Sequence, residues 1–221
     1  MRGVARLSAV ALSLVLGFGS TAAFAQVDQD GRQTSTSNVD GAVVYITPNS
    51  FNAASNQCVV YSLLLYDWSS PRHVETGVIS CNNATIDGTC TSGHGFSERY
   101  DGSAYYCAQG STFTTGSFNS AIVERSSGTA AMWGGTDGAY ISQTGFGATD
   151  TIYSYVWAEA TGGSACPSSP HSVAFTIWKK FQNANGWSYV TSAPIYTYGQ
   201  FPTSPCWTVG SLSSTGDFNA W

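Results

Sequence analysis

The feature that most limits what this chain can become is its punctuation. Short runs rich in Val, Ile, Tyr, Phe and Thr recur between clusters of Gly, Asn, Asp and Ser, and no segment carries a sustained helical period. That pattern predicts an all-β protein, a two-sheet antiparallel β-sandwich. Strands are expected near Ala42–Thr47, Gln57–Asp67, Arg72–Ser80, Gly95–Tyr100, Ala104–Gln109 and Ser117–Arg125. Five more are expected near Thr129–Trp133, Ala139–Gln143, Thr151–Ala160, Ser172–Phe181 and Trp187–Val190.

Both ends read differently. Arg2 and Arg6 form a basic start, Leu7 to Phe18 an apolar stretch, and Ala23-Phe24-Ala25 a small-residue cleavage site, so residues 1–25 are expected to be a signal peptide. The apolar stretch is too short for a membrane span, which predicts a secreted or periplasmic product with no membrane insertion. Residues 26–40, being polar, are expected to be a flexible N-terminal segment. The sandwich domain is expected over 41–192, and the Pro-rich residues 193–221 as an extended tail packed on it. Length points to one domain, expected to be a monomer.

Removing the leader leaves six basic residues against thirteen acidic ones, a net charge of −7. Nucleic acid and anionic membranes need clustered Lys and Arg, so neither is an expected partner. All six cysteines lie beyond the leader, and an even number in an oxidising compartment predicts up to three disulfides. Cys81 and Cys90, which bracket a polar loop, are expected to pair; the remaining connectivity is open. With no Cys-x-x-Cys and no ligand-like spacing among His73, His94 and His171, neither a metal nor another cofactor is expected.

The chain has four glutamates, and two of them, Glu75 and Glu159, stand inside apolar or aromatic strand sequences. A carboxylate is costly to desolvate unless paired or protonated, so such positions suggest use. A period of two puts Glu75 on one face with His73, and Glu159 on one face with Tyr153, Tyr155 and Trp157. Ile152, Val156 and Ala158 then point into a core. The aromatic face, with Trp68 and His73 at its flank, is the expected substrate-binding surface.

These residues resemble a family. Val74-Glu75-Thr76-Gly77-Val78 is similar to the segment of glutamic peptidases that carries the first catalytic residue, a Gln in the fungal eqolisins and a Glu in the plant neprosin branch. Trp157-Ala158-Glu159 resembles the second segment, in which a catalytic Glu follows an aromatic and aliphatic strand. The similarity runs from about Gly41 to Phe181. It implies a jelly-roll or concanavalin-like sandwich with a Glu75/Glu159 dyad on its concave face, hydrolysing a polypeptide substrate in an acidic medium.

Two carboxyls that share one site hold one proton between them. In the expected mechanism Glu159 is the general base toward water and Glu75 the partner of the developing oxyanion. No Gly-x-Ser-x-Gly, His-Glu-x-x-His or Asp-Thr-Gly motif competes in the mature chain. Two alternatives stay open: a two-carboxylate glycoside hydrolase acting on polysaccharide, and a non-catalytic carbohydrate-binding, lectin-like sandwich.

Overall fold

The computed structural model describes residues 26–70, 72–86, 89–125, 131–136, 139–145, 150–182, 185–202 and 204–221; of residues 131–133 only the backbone is described. The expected leader lies outside the described residues. Among the described residues, fourteen strands, β1 (Val27–Gln33), β2 (Gly41–Ser50), β3 (Gln57–Asp67), β4 (Arg72–Asn82), β5 (His94–Tyr100), β6 (Tyr105–Thr112), β7 (Asn119–Arg125), β8 (Ala131–Thr136), β9 (Ala139–Thr144), β10 (Ile152–Gly162), β11 (Ser172–Gln182), β12 (Gly186–Tyr189), β13 (Ile195–Gly199) and β14 (Phe218–Ala220), build two antiparallel sheets. The first has the order β13-β1-β10-β3-β4-β5-β6. The second runs β12-β11-β2-β7-β8-β9, with β14 also on β11.

Alternation decides which face each strand buries. Val59, Tyr61, Leu63 and Leu65 of β3, Val74 and Val78 of β4, and Ile152, Val156 and Ala158 of β10 point at the second sheet, meeting Val44, Ile46, Val123, Phe175 and Trp178. At about 25 cal/mol per Å² of apolar surface, this shared layer is the principal stabilising term. The intervening residues of the first sheet face outward. They are covered too: Cys58, Val60, Ile79, Cys90 and Phe96 form one outer cluster, and Leu64, Tyr155 and Trp157 another.

The expected strands are present, shifted by a few residues at their ends, with Thr129 and Ala130 outside the described residues. Three expectations are corrected. Residues 26–40 are not a loose lead-in, because β1 lies between β10 and β13 with Asp28 and Asp30 fully buried. One oxygen of each carboxyl accepts backbone N–H groups of Cys206 and Trp207 at 2.9–3.0 Å, which gives partners to groups that read as solvent-seeking.

Nor is the C-terminal part only an extended tail. β13 completes one sheet and β14 pairs β11 of the other, so both ends belong to the sandwich. Finally, Cys81 pairs with Cys58 and Cys90 with Cys107, while Cys166–Cys206 fastens the C-terminal part. Cys58 and Cys81 are direct cross-strand neighbours, a register no spacing rule exposes. Three disulfides fit an extracellular or periplasmic setting.

Candidate active site

Glu75 is held at the middle of the first sheet. The register aligns Tyr155 of β10, Leu64 of β3, Glu75 of β4 and Glu98 of β5 in one row across four strands. Paired residues share a face, so Glu75 and Glu98 both project outward, side by side. The adjoining row aligns Tyr153, Tyr66, His73 and Tyr100, with Tyr105 of β6 after them. His73 is therefore next to both acids. A nitrogen of His73 and one carboxylate oxygen each of Glu75 and Glu98 all lie within 4.8 Å of one another.

Each of the three is only 6% exposed. Glu75 Oε1 accepts a hydrogen bond from the Ser62 hydroxyl, and another from the Trp157 indole N–H at 3.1 Å. Both favour a charged carboxylate. The His73 ring stacks between Tyr66 and Tyr100, with centroids 6.1 and 5.8 Å away and interplanar angles of 28° and 30°. Its Nε2 lies 3.5 Å from Glu98 Oε1. This contact is no ion pair, because burial pushes the imidazole down to about 3 and keeps it neutral. Nε2 makes no hydrogen bond among the described residues.

Glu159 occupies the same outer face but a different place. Its row partners are Gln29 and Val60, four residues along β10 from Tyr155 and two strands from β4. Two strand spacings and four residue rises set its backbone about 16 Å from that of Glu75. Its side chain turns the other way, since Gln29 Nε2 donates to Oε2 at 2.7 Å. Tyr196 on β13 feels it as well: burial pushes that hydroxyl up to about 12, with Tyr198, Tyr66 and Glu159 adding to the shift. The acid that the fold brings to Glu75 is Glu98. Chain order hid this, since Glu98 stands in an ordinary-looking Ser97-Glu98-Arg99 and its register depends on the β4–β5 pairing.

The expected aromatic residues lie together on the outer face, but Tyr155 and Trp157 are buried there, 3% and 7% exposed, so they form no open surface. Tyr155 packs against Trp157 and Tyr196, with centroids 5.6 and 5.4 Å away, and its hydroxyl accepts the Trp68 indole N–H at 2.9 Å. Trp68, in the turn after β3, is 38% exposed and meets Tyr66 edge-on. Tyr153 is half-buried beside Tyr66. His73 sits inside the acid cluster rather than at its flank. Ser62 is a further site residue whose Ser62-Leu63-Leu64 context gives no sign of chemistry.

Three solved structures that share the fold are of glutamic peptidases. Scytalidoglutamic peptidase with a peptide-based transition-state analogue aligns over 89% of this chain and 98% of its own, with TM-score 0.55 and 13% identity. The same enzyme with another transition-state analogue inhibitor gives 0.58 and 14% over the same shares. SCP-B, a member of the eqolisin family in complex with the tripeptide Ala-Ile-His, gives 0.55 and 13%, again over 89% and 98%. At these identities the likeness is one of fold. No family model and no curated protein sequence matches the chain.

Proposed function

We propose that this protein is an exported acid-acting endopeptidase whose carboxyl pair is Glu75 and Glu98. The observation that carries the reading is the direct cross-strand placement of two buried acids, on the outer face of a sandwich that glutamic peptidases share.

Two carboxyls this close hold one proton between them, and the surroundings assign its place. Glu75, with two donors on Oε1, is the ionised member and takes a proton from water as the water attacks a peptide carbonyl. Glu98, beside a neutral imidazole, is the protonated member. It donates to the developing oxyanion, and the proton then passes to the leaving amine. Trp68, the exposed member of the aromatic cluster, with Tyr155 bonded beneath it, offers apolar surface to an extended polypeptide, and Glu159 with Gln29 contacts its more distant residues. The ring faces of Tyr66, His73 and Tyr100 are engaged with each other, which disfavours a stacking platform for sugars.

The test is cleavage of a denatured protein across acidic pH, beside Glu75→Gln, Glu98→Gln and Glu159→Gln. The first two are expected to lose at least about 100-fold in rate and the third only a few-fold. Wild-type rates in Glu75→Gln and Glu98→Gln overturn the reading. Loss in Glu159→Gln with Glu98→Gln unaffected returns the second carboxyl to Glu159, and release of reducing sugar from polysaccharide without peptide cleavage moves the pair to glycoside chemistry.

A further inference from the structure

We propose that His73, Glu75 and Glu98 also form a binding site for one first-row divalent cation, with zinc the first choice. The proposal uses the residues of the peptidase reading but stands whether or not peptide cleavage is found.

The first argument is the imidazole. His73 Nε2 is buried, makes no hydrogen bond among the described residues and lies 3.5 Å from Glu98 Oε1, and a ring nitrogen falls within 4.8 Å of a carboxylate oxygen of each acid. Buried polar atoms are nearly always satisfied, so a lone ring nitrogen among carboxylates marks a place for an ion.

Distances give the second. Bonds of about 2.0–2.1 Å to a tetrahedral zinc put neighbouring ligand atoms roughly 3.3–3.5 Å apart. The Nε2 to Glu98 Oε1 separation is 3.5 Å, and all three donor atoms fall within 4.8 Å. A rotamer adjustment of Glu75 closes the remaining edges.

Charge is the third. Two ionised carboxylates crowded in a buried site repel, and a dication cancels both without a proton. The hydrogen bonds from Ser62 and Trp157 orient Glu75, and the flanking tyrosines fix the imidazole plane, as outer partners do at metal centres. One nitrogen and two oxygens suit zinc, cobalt or manganese better than copper(I), and all six cysteines are in disulfides, so no thiolate competes. The cation and the shared proton exclude each other, so metal is expected to inhibit the acid-pair chemistry.

The experiment is titration of chelator-treated mature protein with cobalt(II) at about pH 7.5, followed by visible absorption and competition with zinc. One cobalt per chain is expected, displaced by one zinc. His73→Ala and Glu98→Gln are expected to weaken binding at least about tenfold. Glu159→Gln and the double variant His94→Gln/His171→Gln are expected to bind as wild type. Absence of a cobalt band in wild type overturns the proposal, as does a band that survives in folded His73→Ala and Glu98→Gln or vanishes in the His94/His171 variant. Should the pocket variants not fold, a wild-type cobalt spectrum with a single imidazole ligand supports the site and one without imidazole overturns it. Peptide cleavage is assayed separately in metal-free acidic buffer, so the two readings fail independently.

Discussion

At the scale of residues, the outer face is organised around one oxygen. Glu75 Oε1 takes two hydrogen bonds, and a bond to a charged acceptor is worth about 1.5–3 kcal/mol. Trp157→Phe removes one donor while keeping an aromatic ring. It is expected to move the acid limb of the pH–rate profile upward by about one unit, read from initial rates against pH. Ser62→Ala is expected to shift the limb the same way, and an unmoved limb in both variants detaches these residues from the chemistry. His73 acts on stability. Its folded value is depressed from 6.5 to about 3, so the contribution is present above pH 6.5 and is lost as pH falls toward 3. Replacing it with Gln is expected to flatten the fall in melting temperature across that window.

At the scale of elements, alternation was legible and pairing was not. Reading β4 and β10 with a period of two placed Glu75, Glu159 and the Tyr/Trp residues of β10 on the face opposite Val74, Val78, Ile152, Val156 and Ala158, and the structure puts those five in the core between the sheets. Register is set by partners far along the chain, so the row that unites Glu75 with Glu98 and leaves Glu159 apart lay beyond a linear reading. The Asp-Gly content of β1 hid a strand whose acids find their donors some 176 positions later. The disulfides escaped for the same reason. Tight pairing also makes Gly77 a sensitive point: a Cβ there would lie 2.2 Å from the Tyr61 carbonyl oxygen and 2.7 Å from Ser62 Cα, both backbone atoms of β3. Gly77→Ala is expected to cost about 2–4 kcal/mol in urea denaturation and to displace Ser62 from Glu75. Removing Cys166 and Cys206 together, which opens a 40-residue loop, is expected to cost about 3–4 kcal/mol.

At the scale of the whole molecule, two buried ionisable groups pull stability in opposite directions with pH. Burial, with Asp28 beside it, pushes Asp30 up from 3.8 to about 7. A raised acid binds its proton more tightly in the folded state, so its contribution is complete below pH 3.8 and lost as pH rises through 7. Asp30→Asn is therefore expected to narrow the gap to wild type, or reverse it, in thermal melts above pH 7. A gap that stays constant from pH 4 to 8 removes Asp30 from this role. The same strand governs the order in which the molecule is made. β1 emerges from the ribosome before every other described strand, yet its two neighbours are β10 and β13. A nascent chain halted anywhere before residue 152 leaves that leading segment with no edge to join. Closure of the first sheet therefore waits for nearly full-length synthesis.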